Sequence, residues 1–74
     1  MPKRQERIQA RRNKIIRFLE RTNSTGVETG KTVVEIAHGI KEDLSVIRVD
    51  LEALRAEGVQ RDSKRMPNLY WKPR

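Results

Sequence analysis

Apolar side chains recur at helical spacing from Ile8 to about Thr22, at Ile8, Ile15, Ile16, Phe18 and Leu19. This predicts a first helix buried mainly in its C-terminal half. The preceding residues 1–7, MPKRQER, have no such period and are predicted to form a mobile basic arm. Residues 22–30, TNSTGVETG, are a loop by composition, with Gly26 and Gly30 expected to let the chain turn. Thr32 then stands three residues before Glu35 at the start of an apolar run, the pattern of a capping box. A second helix from Val33 to Gly39 follows, with Val33, Ile36, Ala37 and Ile40 along one face. Asp43 is a suitable N-cap for a third helix reaching about Glu57, in which Leu44, Ile47, Leu51 and Leu54 share one face. Gly58 ends it as a C′ glycine.

Beyond Gly58 the period shortens. Val59–Arg61 and Asn68–Lys72 read as two strands joined by a basic turn, with Pro67 suited to a strand start. Leu69 and Trp71 share one strand face and are expected to close the core, leaving Tyr70 pointing outward. Three helices followed by a C-terminal β-hairpin describe an α+β, mainly α, winged helix-turn-helix, with residues 8–74 as a single domain.

Composition narrows what such a chain could do. Its 74 residues allow one domain that buries only about 60% of its unfolded surface. With no cysteine and His38 as the one histidine, neither a disulfide nor a multi-imidazole zinc site is available, and no cofactor is implied. No apolar run approaches the roughly 20 residues of a membrane span, and the basic residues 1–7, which lack an apolar stretch, are not expected to act as a secretory signal. A soluble, cytoplasmic protein is the expectation. The stretch GVETGKT, residues 26–32, superficially resembles a phosphate-binding loop. Thr25 stands where the first glycine of that loop belongs, and no buried strand precedes it, so the nucleotide-binding reading is excluded. No Ser/His/Asp, Cys/His or paired-carboxylate set forms a plausible active site, and the expected function is non-enzymatic.

The net charge of +7 is unevenly placed. Residues 1–17 carry +6, residues 18–60 carry −3 and residues 61–74 carry +4. Two basic ends around a mildly acidic middle suit a polyanion gripped at two places. A membrane surface suits the arm less well, because residues 3–14 offer only Ile8 and Ala10 as apolar side chains.

The stretch SVIRVDLEALRAEGVQR, residues 45–61, resembles the second helix of the helix-turn-helix in DeoR-type repressors. Ile47, Arg48, Asp50, Leu51, Leu54, Gly58 and Arg61 match that pattern, and Ala37 matches its small packing residue. Val46 and Val49 depart from it, replacing the family's Thr and basic residue, and Glu42 replaces an apolar turn residue, with Ile40 supplying that contact. The resemblance covers about a third of the chain and implies a DNA-binding winged helix. IIRFLE and LYWK are also similar to winged-helix domains that bind Z-form nucleic acid. The positions of that family's defining Asn and Tyr hold Arg48 and Glu52, so the similarity carries architecture and not Z-form recognition.

A recognition helix enters the major groove by its N-terminal residues. The predicted groove set is Ser45, Val46, Arg48, Val49 and Glu52. Ser45 could bond a base edge or a phosphate, Arg48 could reach guanine or pair with Glu52, and Val49 could pack on a thymine methyl. The predicted backbone set is Lys3, Arg4, Arg7, Arg11 and Arg12 at the N-terminal end, Lys41 in the turn, and Arg61, Lys64, Arg65, Tyr70 and Lys72 in the wing. His38 is expected to be an exposed or partly buried helix residue. The expected partner is double-stranded DNA, bound by a small transcription regulator of a bacterial or phage kind. No membrane and no small-molecule effector is implied. A protein partner or a second copy on DNA, a protein-interaction role within a larger assembly, and an RNA-binding role remain open.

Overall fold

The computed structural model describes residues 3–64 and 67–73, except for the side chains of Lys3 and Arg4. Helix α1 spans Lys3–Arg21, α2 Val33–Ile40 and α3 Leu44–Leu54; β1 spans Gln60–Asp62 and β2 Leu69–Trp71. Single 3-10 turns cover Val27–Thr29 and Arg55–Glu57, the second prolonging α3 to the predicted end. β1 and β2 pair antiparallel, with Arg61 opposite Tyr70. The chain is a mainly helical α+β domain of winged-helix topology.

The helix ends follow their sequence signals. Thr32 accepts from the Glu35 N–H while Glu35 accepts from the Thr32 N–H, both at 3.1 Å, closing the capping box at α2. Asp43 caps α3 by accepting from the Ser45 N–H at 2.9 Å. Gly58 has φ +109°, the left-handed conformation that glycine adopts at least cost.

Ile15, Phe18 and Leu19 from α1, Ile36 and Ala37 from α2, and Ile47, Leu51 and Leu54 from α3 form the core together with Val59 and Tyr70. Val33, Ile40 and Leu44 pack half-buried against it. Gly39 completes the contact of α2 with α1, because a Cβ at that position would run into the Phe18 ring.

The structure differs from the sequence reading in three places. First, α1 begins at Lys3, so residues 3–7 are helical rather than an irregular arm. Arg, Gln, Glu and Lys are good helix formers, and they prolong a helix without any apolar face to announce it. Second, Gly26 and Gly30 have ordinary negative φ values of −150° and −63°. Gly30 serves close packing instead, since a Cβ there would lie 3.1 Å from Leu69 Cβ.

The third difference is the phase of β2. Tyr70 is buried in the core, while Leu69 and Trp71 are half-buried on the other face. β2 is also flanked on its second side, where Lys31 and Tyr70 exchange backbone hydrogen bonds of 2.8 Å. In that central position the inward site takes a ring with a polar tip that finds a partner. Three residues of strand are too few for alternation to reveal which face is inward.

Asp50 is fully buried on the apolar side of α3, where it meets α1. Arg11 donates to it through both Nε and Nη2, the latter at 3.2 Å, and Arg12 Nε donates at 3.3 Å. The hydrogen bond to Asp50 raises the Arg11 guanidinium pKa still further, and the charge of Asp50 adds to the effect. A buried carboxylate is tolerable only when paired and hydrogen-bonded. Removing one partner of a buried pair costs about 3–5 kcal/mol, a large part of the stability of so small a domain. Asp50→Asn should therefore cost about 3 kcal/mol in urea unfolding. Arg11→Gln and Arg12→Gln should each cost less, because each leaves Asp50 one guanidinium. Equal, negligible losses for all three variants would show that the pairing does not hold α1 to α3.

Candidate nucleic-acid interface

The start of α3 is shaped by its cap. Asp43 also accepts from the Ser45 hydroxyl at 2.9 Å. The Ser45 N–H, and then its hydroxyl, hold the Asp43 carboxyl below its ordinary pKa. An ionised carboxylate only accepts, so the Ser45 hydroxyl proton is directed to Asp43. Ser45 thus presents lone pairs to solvent, suited to a base amino group and unsuited to a phosphate.

Ser45, Arg48 and Val49 are exposed, with Val49 at 66%. Val46 is half-buried at the margin of this face, because it lies farther around the helix. The Arg48 guanidinium makes no hydrogen bond or ion pair among the described residues. It lines a groove between α3, the start of α2 and the hairpin, walled by Thr32, Val34, Pro67 and Asn68. These four wall residues are absent from the predicted contact set. Val34 carried the one usable signal, as an apolar residue off the buried stripe of α2; it is 53% exposed.

Glu52, a member of the predicted groove set, lines this groove but does not pair with Arg48. Its carboxylate accepts from Arg55 Nη1 at 3.1 Å, Arg61 Nη1 at 3.1 Å and the Tyr70 hydroxyl at 3.2 Å. Burial pushes the Glu52 carboxyl upward, but the Arg55 hydrogen bond, the Arg61 charge and the Tyr70 hydroxyl outweigh it. The carboxyl settles below its ordinary pKa. Glu52 therefore brackets the hairpin onto α3, and Arg61 and Tyr70 are its partners rather than free backbone contacts. Sequence spacing alone conceals this, because Arg61 and Tyr70 lie nine and eighteen positions from Glu52.

The predicted backbone cations divide in the same way. Arg11 and Arg12 are directed to Asp50. Lys41 is exposed on a left-handed residue that caps α2, with φ 57°. Lys64 is exposed in the hairpin, where its N–H donates to Asp62 at 2.9 Å. Lys72 is half-buried, its N–H bonded to the Ser24 carbonyl at 2.9 Å. Arg7 is exposed on α1. Arg65 and the side chains of Lys3 and Arg4 lie outside the described residues. His38 is exposed, as expected. No described helix is long and apolar enough to cross a membrane.

The chain matches no protein-family model, no curated protein and no solved structure. The site geometry is therefore what bears on function.

The depressed Glu52 pKa fixes a sign. Ionised Glu52 stabilises the fold above the unfolded carboxyl value of about 4.3, and that contribution is lost as pH falls through the lower folded value. In thermal melts from about pH 2 to pH 6, the stability gap between the wild type and Glu52→Gln should be constant near pH 6 and close in the acid range. A gap independent of pH would contradict the bracket.

Proposed function

We propose that the protein is a non-enzymatic, double-stranded-DNA-binding transcription regulator that reads the major groove with the start of α3. The observation that carries this reading is Arg48, an exposed arginine with no polar partner among the described residues, standing in the groove between α3 and the hairpin. A guanidinium donates bidentately to guanine O6 and N7. Ser45 offers lone pairs to an adenine or cytosine amino group, and exposed Val49 offers a surface for a thymine methyl. Lys41 and Lys64, both exposed, meet phosphates on either side and set register without reading sequence. The resemblance of residues 45–61 to DeoR-type repressors agrees with this division of roles. Because Arg11 and Arg12 belong to the fold, fewer phosphates are neutralised than the charge of the N-terminal segment suggests.

Salt-controlled titrations of short duplexes test the reading. With three to five phosphate contacts, log K against log salt should fall with a slope of about −3 to −4.5. Arg48→Ala should cost about 1–3 kcal/mol on the preferred site and little on unrelated duplexes. Lys64→Ala should weaken all duplexes alike and make the slope shallower by about 1. A flat salt response, or tighter binding of duplex RNA than of DNA, would reject the proposal.

A further inference from the structure

We propose that the outer face of α1 binds the phosphate backbone of a second DNA duplex, so that one copy of the chain bridges two. This rests on the reading of α3 and the hairpin as the first duplex site. Arg7, Lys14, Arg17 and Arg21 are all exposed on α1. At 3.6 residues per turn they fall within an arc of about 80° and extend over about 21 Å. Successive phosphates of one strand advance by about 3.4 Å along the duplex axis, so a stripe of that length meets several.

The helix segregates its cations. Arg11 and Arg12, on its inner side, are neutralised by Asp50. The four outer cations have no comparable partner. Arg7 and Arg17 pair with no carboxylate among the described residues, and Lys14 reaches Glu42 only at 3.9 Å. Arg21 lies 5.7 Å from the centroid of the Phe18 ring and pairs with no carboxylate among the described residues. The acidic residues of α1, Glu6 and Glu20, fall outside the arc.

The chemistry of the stripe selects its partner. Ala10 is the one apolar residue in the arc. The stripe therefore lacks both the apolar anchors of a protein interface and the apolar face of a membrane-lying helix. Exposed guanidinium and ammonium groups of a single sign suit a polyphosphate.

Its position makes the second duplex separate from the first. α1 joins α3 at Asp50, about 120° around α3 from the face of Ser45 and Val49. Lys14, Arg17 and Arg21 of the stripe lie alongside Gly39 and Ile40 at the end of α2.

The test uses the full chain and two duplexes, one on beads and one labelled, with single-duplex affinity measured in parallel. The wild type should capture the labelled duplex. The combined variant Lys14→Gln, Arg17→Gln, Arg21→Gln should bind a single duplex much as the wild type does while capture falls about tenfold or more, since about three phosphate contacts are removed. Glutamine keeps the helix, and unchanged single-duplex binding certifies the fold. The charge-retaining variant Lys14→Arg, Arg17→Lys, Arg21→Lys should keep capture. If the wild type binds one duplex without capturing a second, the bridging proposal fails and the α3 reading stands. Capture that survives the glutamine variant also overturns it, as does a glutamine variant that loses single-duplex binding. If the wild type binds no duplex at all, both readings fall.

Discussion

A buried carboxylate sets the orientation on which the rest of this protein depends. Asp50 has no solvent exposure and takes hydrogen bonds from two arginines of α1. Apolar contacts are non-directional, and Ile47, Leu51 and Leu54 alone would tolerate some rotation of α3 about its axis. The donors of Arg11 and Arg12 have fixed directions, and a carboxylate left without them would carry a desolvation cost of several kcal/mol. Rotating α3 would break them. Because Asp50 lies about 120° around the helix from Ser45 and Val49, locking the one fixes where the other faces.

A second carboxylate does for the hairpin what Asp50 does for α1. Glu52 gathers Arg55, Arg61 and the Tyr70 hydroxyl at the edge of α3. The strands it holds are three residues each, too short to keep a fixed position by their own ladder. Three further restraints act on β2: the paired backbone bonds of Lys31 with Tyr70, the burial of the Tyr70 ring and the close approach of Gly30. The groove around Arg48 is thus bounded by elements fixed in place, so an arginine there needs no rearrangement to meet a ligand.

The fold was largely legible in the sequence, and the reasons are local. Thr32 with Glu35, Asp43 and Gly58 are chemical signals acting within a few residues, and each marks its boundary correctly. The apolar periods of α2 and α3 are long enough to fix a face. The first turn of α1 has no apolar residue to report it, and its polar residues are helix formers in their own right. The phase of β2 depends on the neighbour at Lys31, thirty-nine positions away, which three strand residues do not encode.

The candidate site was legible only in part, because charge in a sequence does not reveal its partner. Arg48 and Lys64 carry net charge to the surface, whereas Arg11, Arg12 and Arg61 are held by carboxylates distant in sequence. Asp50 gave a readable warning, since an acid on the apolar stripe between Ile47 and Leu54 requires a cation from elsewhere. Residues 1–17 read from charge alone as one basic end, whereas the helix separates Arg11 and Arg12, paired with Asp50, from exposed cations such as Lys14 and Arg17.

The most direct test of the central claim is a backbone-amide NMR titration with a mixed-sequence DNA duplex. The account predicts that the first amides to shift are those of Ser45, Arg48 and Val49, together with Lys64 in the hairpin, while Ile15 and Leu19 in the core stay in place. No shift on adding DNA, or first shifts confined to residues away from α3 and the hairpin, would contradict it.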